Sequence, residues 1–213
     1  MEKEKSIEWK ISDEPVAYEE AIKSMEERVD NVIKGASNEL VWLLEHPPLY
    51  TAGTSAKESD LVDKDKFPVY ETGRGGEYTY HGPDQRVAYV ILNLKDRSES
   101  PDLKQYVYQL EEWIINSLAR IGIEGERREG RVGIWVKDGN SESKIAAIGI
   151  RIRKWVTYHG ISLNVSPDLE HFKGIVPCGI KGYGVTSIEK MGKHISIEEM
   201  DKILKEEFLK IFG

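Results

Sequence analysis

KIAAIGIRIRKWVTYHGISLNVSPDLEHFKGIVPCGIKGYGVTS, residues 144–187, governs how the rest of the chain is read. It opens as a strand of small and β-branched residues, and residues 155–165 suit a second strand. Residues 168–172 suit one helical turn, and a glycine-rich loop follows with the only cysteine, Cys178. A thiol is a strong nucleophile only as thiolate, and a nearby ammonium lowers its pKa. Lys144 is the candidate for that ammonium. From composition alone a lone cysteine reads first as a small buried hydrophobe, and a strand lysine as a solvated edge residue.

Alternation along the first strand sets Lys144, Ala146, Ile148 and Ile150 against Ile145, Ala147, Gly149 and Arg151. Alanine and glycine are poor strand formers. Their use here, continued by Gly160 and Ser162, makes room for a ligand's hydrocarbon chain or for close packing of an element on the sheet.

Working outward, Asp13 and Pro15 suit a helix start, and Tyr18, Ile22, Met25, Val29 and Val32 repeat at helical spacing up to Gly35. Residues 39–45 (ELVWLLE) read as a buried strand, 46–55 as a loop stopped by prolines and glycine, and 68–71 as a brief strand. Residues 86–94 (RVAYVILNL) form the clearest strand, with Val87, Tyr89 and Ile91 alternating against Ala88, Val90 and Leu92. Pro101 opens a helix with Leu103, Tyr106, Leu110, Trp113, Ile114 and Leu118 on one face, closed by Gly122. Residues 132–136 and 143–151 read as strands around the turn DGNSE, and 197–212 as a final amphipathic helix. Strands and helices interleave without strict alternation. The expected fold is α/β of the α+β type, with a mixed or largely antiparallel sheet, and 1–213 forming a single domain.

Composition narrows the function classes. A net charge of −7 argues against a broad nucleic-acid footprint, which needs phosphate neutralisation. No apolar run approaches membrane-spanning length, no secretory leader is visible, and one cysteine cannot close a disulfide within the chain. These features predict a cytoplasmic protein with no nucleic-acid or membrane partner.

The stretch GRGGEYTYHGPDQ, residues 73–85, matches neither G-x-G-x-x-G nor a P-loop. It reads as a hairpin turn or as backbone that approaches a ligand closely. His81 could act as acid or base or fix a turn, and His159 stands in a second His-Gly pair. Five scattered histidines and one cysteine match no zinc spacing, so no metal or other cofactor is expected.

Taken together, R-G-G-x-x-x-Y-H-G-P-x-Q (74–85), K-I-A-A-I-G (144–149), H-G-x-x-L-N-V (159–165), D-L-x-x-F (168–172) and I-V-P-C-G (175–179) resemble the lipoyl(octanoyl) transferase family. The motifs stand in family order over most of the chain. The resemblance implies a fold like the biotin and lipoate protein ligase catalytic domain, with a larger mixed sheet, a smaller sheet and helices outside. It places the acyl-thioester cysteine at Cys178 and the lysine that lowers its pKa at Lys144. It places acyl-substrate contacts at Arg74, Gly75, Gly76, Glu77, Tyr78, Thr79, Tyr80 and His81, at Ala147, Ile148 and Gly149, and at Gly160, Ile161 and Ser162. Asp84 departs from the family's usual glycine; aspartate tolerates left-handed backbone better than most residues, and it adds a negative charge near the expected pocket.

The implied partners are octanoyl-acyl carrier protein as donor, and lipoyl domains of 2-oxoacid dehydrogenase complexes and the glycine-cleavage carrier protein as acceptors, met by a monomer. A non-catalytic acyl binder, an ATP-dependent ligase and a thioesterase are alternatives on the same fold. Because such carriers present acidic surfaces, Arg151, Arg153, Lys154, Lys173 and Lys181 are candidates for a basic docking patch.

Overall fold

The computed structural model describes residues 7–139, 141–176 and 183–213. The chain runs through β1 (Glu8–Ile11), α1 (Tyr18–Ile33), β2 (Leu40–Leu44), β3 (Leu49–Ala52) and β4 (Val69–Glu71). It continues through β5 (Tyr78–His81), β6 (Gln85–Ile91), α2 (Leu103–Ala119) and β7 (Ile134–Asp138). Then come β8 (Ser141–Arg153), β9 (Val156–Asn164), β10 (Gly184–Val185) and α3 (Ile197–Phe212). A short 3-10 helix, Leu169–Gly174, lies where one helical turn was expected, capped by Asp168.

The larger sheet has the order β1-β2-β6-β9-β8-β10, with β7 paired to β8. The β1–β2 and β8–β10 pairs are parallel and the remaining pairs antiparallel, so the expected mixed sheet is found. A smaller sheet has the order β4-β3-β5.

Strand β6 lies at the centre with all seven residues buried. Ala88 and Val90 face a core built with Leu110, Trp113 and Ile114 of α2 and Met200, Leu204 and Phe208 of α3. Val87, Tyr89 and Ile91 face the opposite layer, where α1 contributes Ala21, Met25, Val29 and Val32. The stripe predicted for α1 is therefore its buried face, with Ile22 at the margin, and α3 is amphipathic as expected, burying Met200, Leu204 and Phe208. On α2 the stripe holds from Tyr106 onward, but Leu103 is exposed, because it stands in the first turn beside the cap Asp102.

Two buried contacts help to fasten α3. The Trp113 indole N–H donates to the Leu204 carbonyl at 2.7 Å. Arg86 of β6 and Asp201 form a two-pronged buried ion pair, with Nε to Oδ1 at 2.7 Å. Such a pair tolerates loss of one partner badly, since the survivor is a buried uncompensated charge.

Several sequence expectations need correction. Helix α1 begins at Tyr18 rather than at Asp13 or Pro15, with Ala17 at its cap. The backbone N–H groups of Ser12 and Val16 donate to Leu43 and Glu45 carbonyls, so this segment follows the edge of β2 and cannot coil. Residues 49–52, read as loop, form β3. Pro47 and Pro48 precede this strand and so remove no donor from its ladder. Strands β1 and β10 are additions, short and recognisable only by their pairing. Residues 78–81, within the expected turn, are strand β5 of the smaller sheet. Among the described residues no helix is long and apolar enough to cross a membrane.

Candidate active site

The register of β7 against β8 shifts between Ile134 and Trp135, which pair with Ala146 and Lys144. Ile145 is the extra residue of a β-bulge. A bulge re-aims side chains locally, and here it overturns the simple alternation. Ile145 and Ala146 both join the helix-side core, whereas Lys144 and Ala147 both line a cavity on the opposite side. Lys144 is 7% exposed; its Nζ donates to the Val132 carbonyl at 2.8 Å and lies 4.9 Å from the centre of the Trp135 ring.

The cavity has a volume of about 240 Å³. Its walls come from the glycine-rich loop and β5 (Arg74, Gly76, Glu77, Tyr78, Thr79, His81), from β8 (Lys144, Ala147, Ile148, Gly149) and from β9 (Gly160, Ile161, Ser162). The structure thus brings together three sequence-distant stretches singled out from motifs. Two residues of that set lie outside the walls. Gly75 ties the loop to β8 through its N–H, which donates to the Ile150 carbonyl at 2.9 Å. Tyr80 points to the other face of β5, into a cluster with Tyr50, Phe67 and Phe172, and its hydroxyl is 2.8 Å from His171 Nδ1. Cys178 lies outside the described residues, as does Lys181.

The glycines refine the idea that small residues make room for a ligand. A Cβ on Gly149 would stand 3.0 Å from Arg74 Cδ and from the Gly75 carbonyl oxygen; one on Gly160 would stand 2.2 Å from the Ala88 carbonyl oxygen. Both absences therefore permit close backbone approach, and Ala147 and Ser162 are the small side chains of β8 and β9 left facing the cavity. Arg74 organises the loop, donating to the carbonyls of Thr51, Gly75 and Glu77 at 2.9, 2.9 and 3.0 Å.

An amide chain fixes the histidine beside the cavity. Gln85 Nε2 donates to the Tyr80 carbonyl and to Asn164 Oδ1, and Asn164 Nδ2 donates to the Thr186 carbonyl. Gln85 Oε1 is therefore the acceptor for His81 Nδ1–H at 2.7 Å. Burial pushes His81 down from the usual imidazole range to about 3, so it is neutral near pH 7. Burial likewise lowers His159 to about 3 and also depresses His46. His46 donates from Nδ1 to the Val16 carbonyl and accepts from the Tyr89 hydroxyl at Nε2. The site is thus apolar and aromatic in one direction, with a cationic lysine and amides in the other.

Tyr18, Val87, Tyr89, Arg131 and Val132 also line the cavity and belong to no motif, and the motif residue His159 lines it although it was not among the implied contacts. The alternation of β6 had already placed Val87 and Tyr89 on one face; what it lacked was any sign that a cavity, rather than a helix, meets them. Asp84 adopts φ +63 and is exposed beyond the cavity, so the anticipated left-handed turn forms and its charge stays outside. Three of the residues expected in a basic patch have local partners. Arg153 pairs with Asp30 at 2.6 Å, Arg151 lies against Gly73, and Lys173 pairs with Glu170 at 2.6 Å.

The family profile described as the lipoyl protein ligase A/B catalytic domain matches residues 17–209. The octanoyltransferase of Paramagnetospirillum magneticum is 61% identical over 208 residues, covering 97% of each chain. That of Parvibaculum lavamentivorans is 59% identical over 210 residues, covering 97% of this chain and 92% of the relative. Among solved structures, a bipartite lipoate protein ligase from Thermoplasma acidophilum superposes with a TM-score of 0.72 at 16% identity, over 96% of this chain and 82% of its own.

Proposed function

We propose the following reaction on one premise: this chain belongs to the lipoyl(octanoyl) transferase family and is an acyltransferase of protein lipoylation. The Cys178 thiolate attacks the thioester carbonyl of octanoyl-acyl carrier protein. The bond to the phosphopantetheine sulfur breaks, and that sulfur leaves as a thiol once it receives a proton. The neutral amine of a lipoyl-domain lysine then attacks the octanoyl-Cys178 thioester, forming the amide and returning the cysteine sulfur. Acceptors of this kind belong to 2-oxoacid dehydrogenase complexes and the glycine-cleavage carrier protein.

In this scheme Lys144 stabilises the thiolate, supplies the proton to the leaving sulfur and takes one from the attacking amine. Thioester exchange is nearly balanced and amide formation is downhill, so no nucleotide is consumed. Arg74 holds the glycine-rich loop in place, while Thr79, Ala147, Ile148, Gly149, Gly160, Ile161 and Ser162 enclose the acyl chain. We take residues 1–213 to act as one catalytic domain and a cytoplasmic monomer.

The placement of Lys144 carries this reading: a nearly buried lysine on the wall of a mostly apolar cavity. Phe172 and Val185, from the segments on either side of residues 177–182, wall a small niche with Lys144, Thr79 and Ser162. That arrangement supports a reacting centre beside the lysine.

Intact-protein mass after mixing with octanoyl-acyl carrier protein, without nucleotide or acceptor, tests the scheme. One octanoyl group is expected on the wild type and none on Cys178→Ser, with discharge on adding a lipoyl domain. Lys144→Ala is expected to slow acylation about 10²–10⁴-fold, the range of a positioned acid–base group. Octanoyl transfer without any Cys178 adduct would overturn the covalent scheme.

A further inference from the structure

The cavity's floor follows from the strand registers. Ala147 pairs with Ser162 and Gly149 with Gly160 across β8 and β9; Val87 and Tyr89 of β6 face the same two residues of β9. These rows lead away from Lys144. Allowing for the bulged residue, Lys144 to Gly149 covers roughly 14 Å of strand. Beyond the second row stand Tyr18 and His159. They are the two residues, among those described, that line both this cavity and an outer groove of about 530 Å³ between α1 and the segment after β4. The next cavity-side residue of β8, Arg151, already belongs to the groove.

Both side chains are held in place by neighbouring rings. Tyr18 packs on Tyr70 and His46 with ring centres 4.8 and 5.3 Å apart. His159 stacks on Tyr158 at 5.4 Å and meets Tyr89 edge-on at 5.9 Å. His159 also takes φ +61 within β9, a conformation that disfavours any residue with a Cβ. The histidine is kept where glycine would be the easier choice.

We propose that Tyr18 and His159 form a partition, one side chain thick, that stops the acyl chain and sets the enzyme's chain-length limit. This rests on the reading that the cavity holds the acyl chain. With the partition in place, a chain that outgrows the second row meets two packed rings. With either ring removed, the cavity opens into the groove and the chain continues.

The test compares transfer from octanoyl- and dodecanoyl-acyl carrier protein to a lipoyl domain, using the full chain. His159→Gly suits the existing φ, so the fold is retained while the ring is removed. Tyr18→Ala opens the other half, and Tyr18→Phe keeps it closed. The dodecanoyl-to-octanoyl ratio of kcat/KM is expected to rise about tenfold or more in His159→Gly and Tyr18→Ala, since each methylene matters to a hydrophobic pocket. Tyr18→Phe should keep the wild-type ratio. A ratio unchanged in His159→Gly, with octanoyl transfer still measurable, overturns the partition even if Tyr18→Ala does not fold. Loss of both transfers in folded His159→Gly overturns it as well. Absence of octanoyl transfer by the wild type would instead sink the underlying acyl-transfer reading.

Discussion

The two faces of β6 differ by one residue in sequence and by nearly everything in use. Ala88 and Val90 meet α2 and α3 in a filled core, whereas Val87 and Tyr89 meet a cavity. The filled face has helices along its length. The other has α1 over one part and the small sheet with its glycine-rich loop over the rest, and the space between is the cavity. The buried histidines follow the same division, although charged pairs such as Arg86–Asp201 are buried on the helix side. Among the described residues, the buried histidines His46, His81 and His159 all lie on the cavity side, and the helix-side core holds none.

Acid should therefore strike the two faces unequally, and this is the largest expected effect. His81 and His159 titrate at about 3 in the folded chain and near 6.5 when exposed. Below 6.5 the unfolded chain binds protons that the folded chain refuses, so stability falls as pH falls, until the folded groups protonate near 3. Each histidine contributes about 1.4 kcal/mol per pH unit, and the pair roughly 4 kcal/mol by pH 5. Urea unfolding at pH 7 and pH 5 measures the total. Hydrogen exchange should locate it, with β5 and β9 exchanging faster at pH 5 than α2 and α3. Uniform acceleration would erase the contrast between the faces.

A matched pair of valines sharpens the comparison at smaller magnitude. Val90→Ala leaves a void in close-packed surroundings and should cost about 2–3 kcal/mol, from lost transfer energy plus the new cavity. Val87→Ala only enlarges space that already exists and should cost about half as much. The midpoints of urea unfolding give both values. Equal losses would mean that the cavity side is packed as tightly as the core.

The same contrast explains what the sequence could disclose. Periodicity marked β6, α3 and most of α2 because each buries a continuous stripe, and motifs marked the loop, β8 and β9 because their residue types are unusual for strands. Short pairings such as β1 and β10 carry no periodic signal, since four or two residues gain their place from a neighbouring strand. The bulge at Ile145 was equally hidden. It depends on how β7 meets β8, and without it Lys144 belongs to the wrong face. Tyr18 and Val87 reach the cavity through tertiary packing, so their motif-like role could not be read from spacing.

The smallest expected effect lies at the turn into β6. Asp84 holds φ +63, where a Cβ is disfavoured by about 1–2 kcal/mol, less for aspartate. Asp84→Gly removes that cost but frees the unfolded chain by about 0.5–1 kcal/mol. The turn's contacts are made by backbone: the Asp84 N–H donates to Glu45 Oε2, and its carbonyl accepts from Val165 and Ser166. All of them survive the substitution. Burial already raises the pKa of Glu45, and the Asp84 charge raises it further, so removing that charge favours the ionised Glu45 beside Arg86. The net expectation is a gain of zero to about 1 kcal/mol at neutral pH, with octanoyl transfer unchanged. A loss of more than about 1 kcal/mol, twice the usual surface effect, would assign the aspartate side chain a structural contact of its own. The turn would then belong with the cavity face as a region where side chains, rather than backbone, hold the shape.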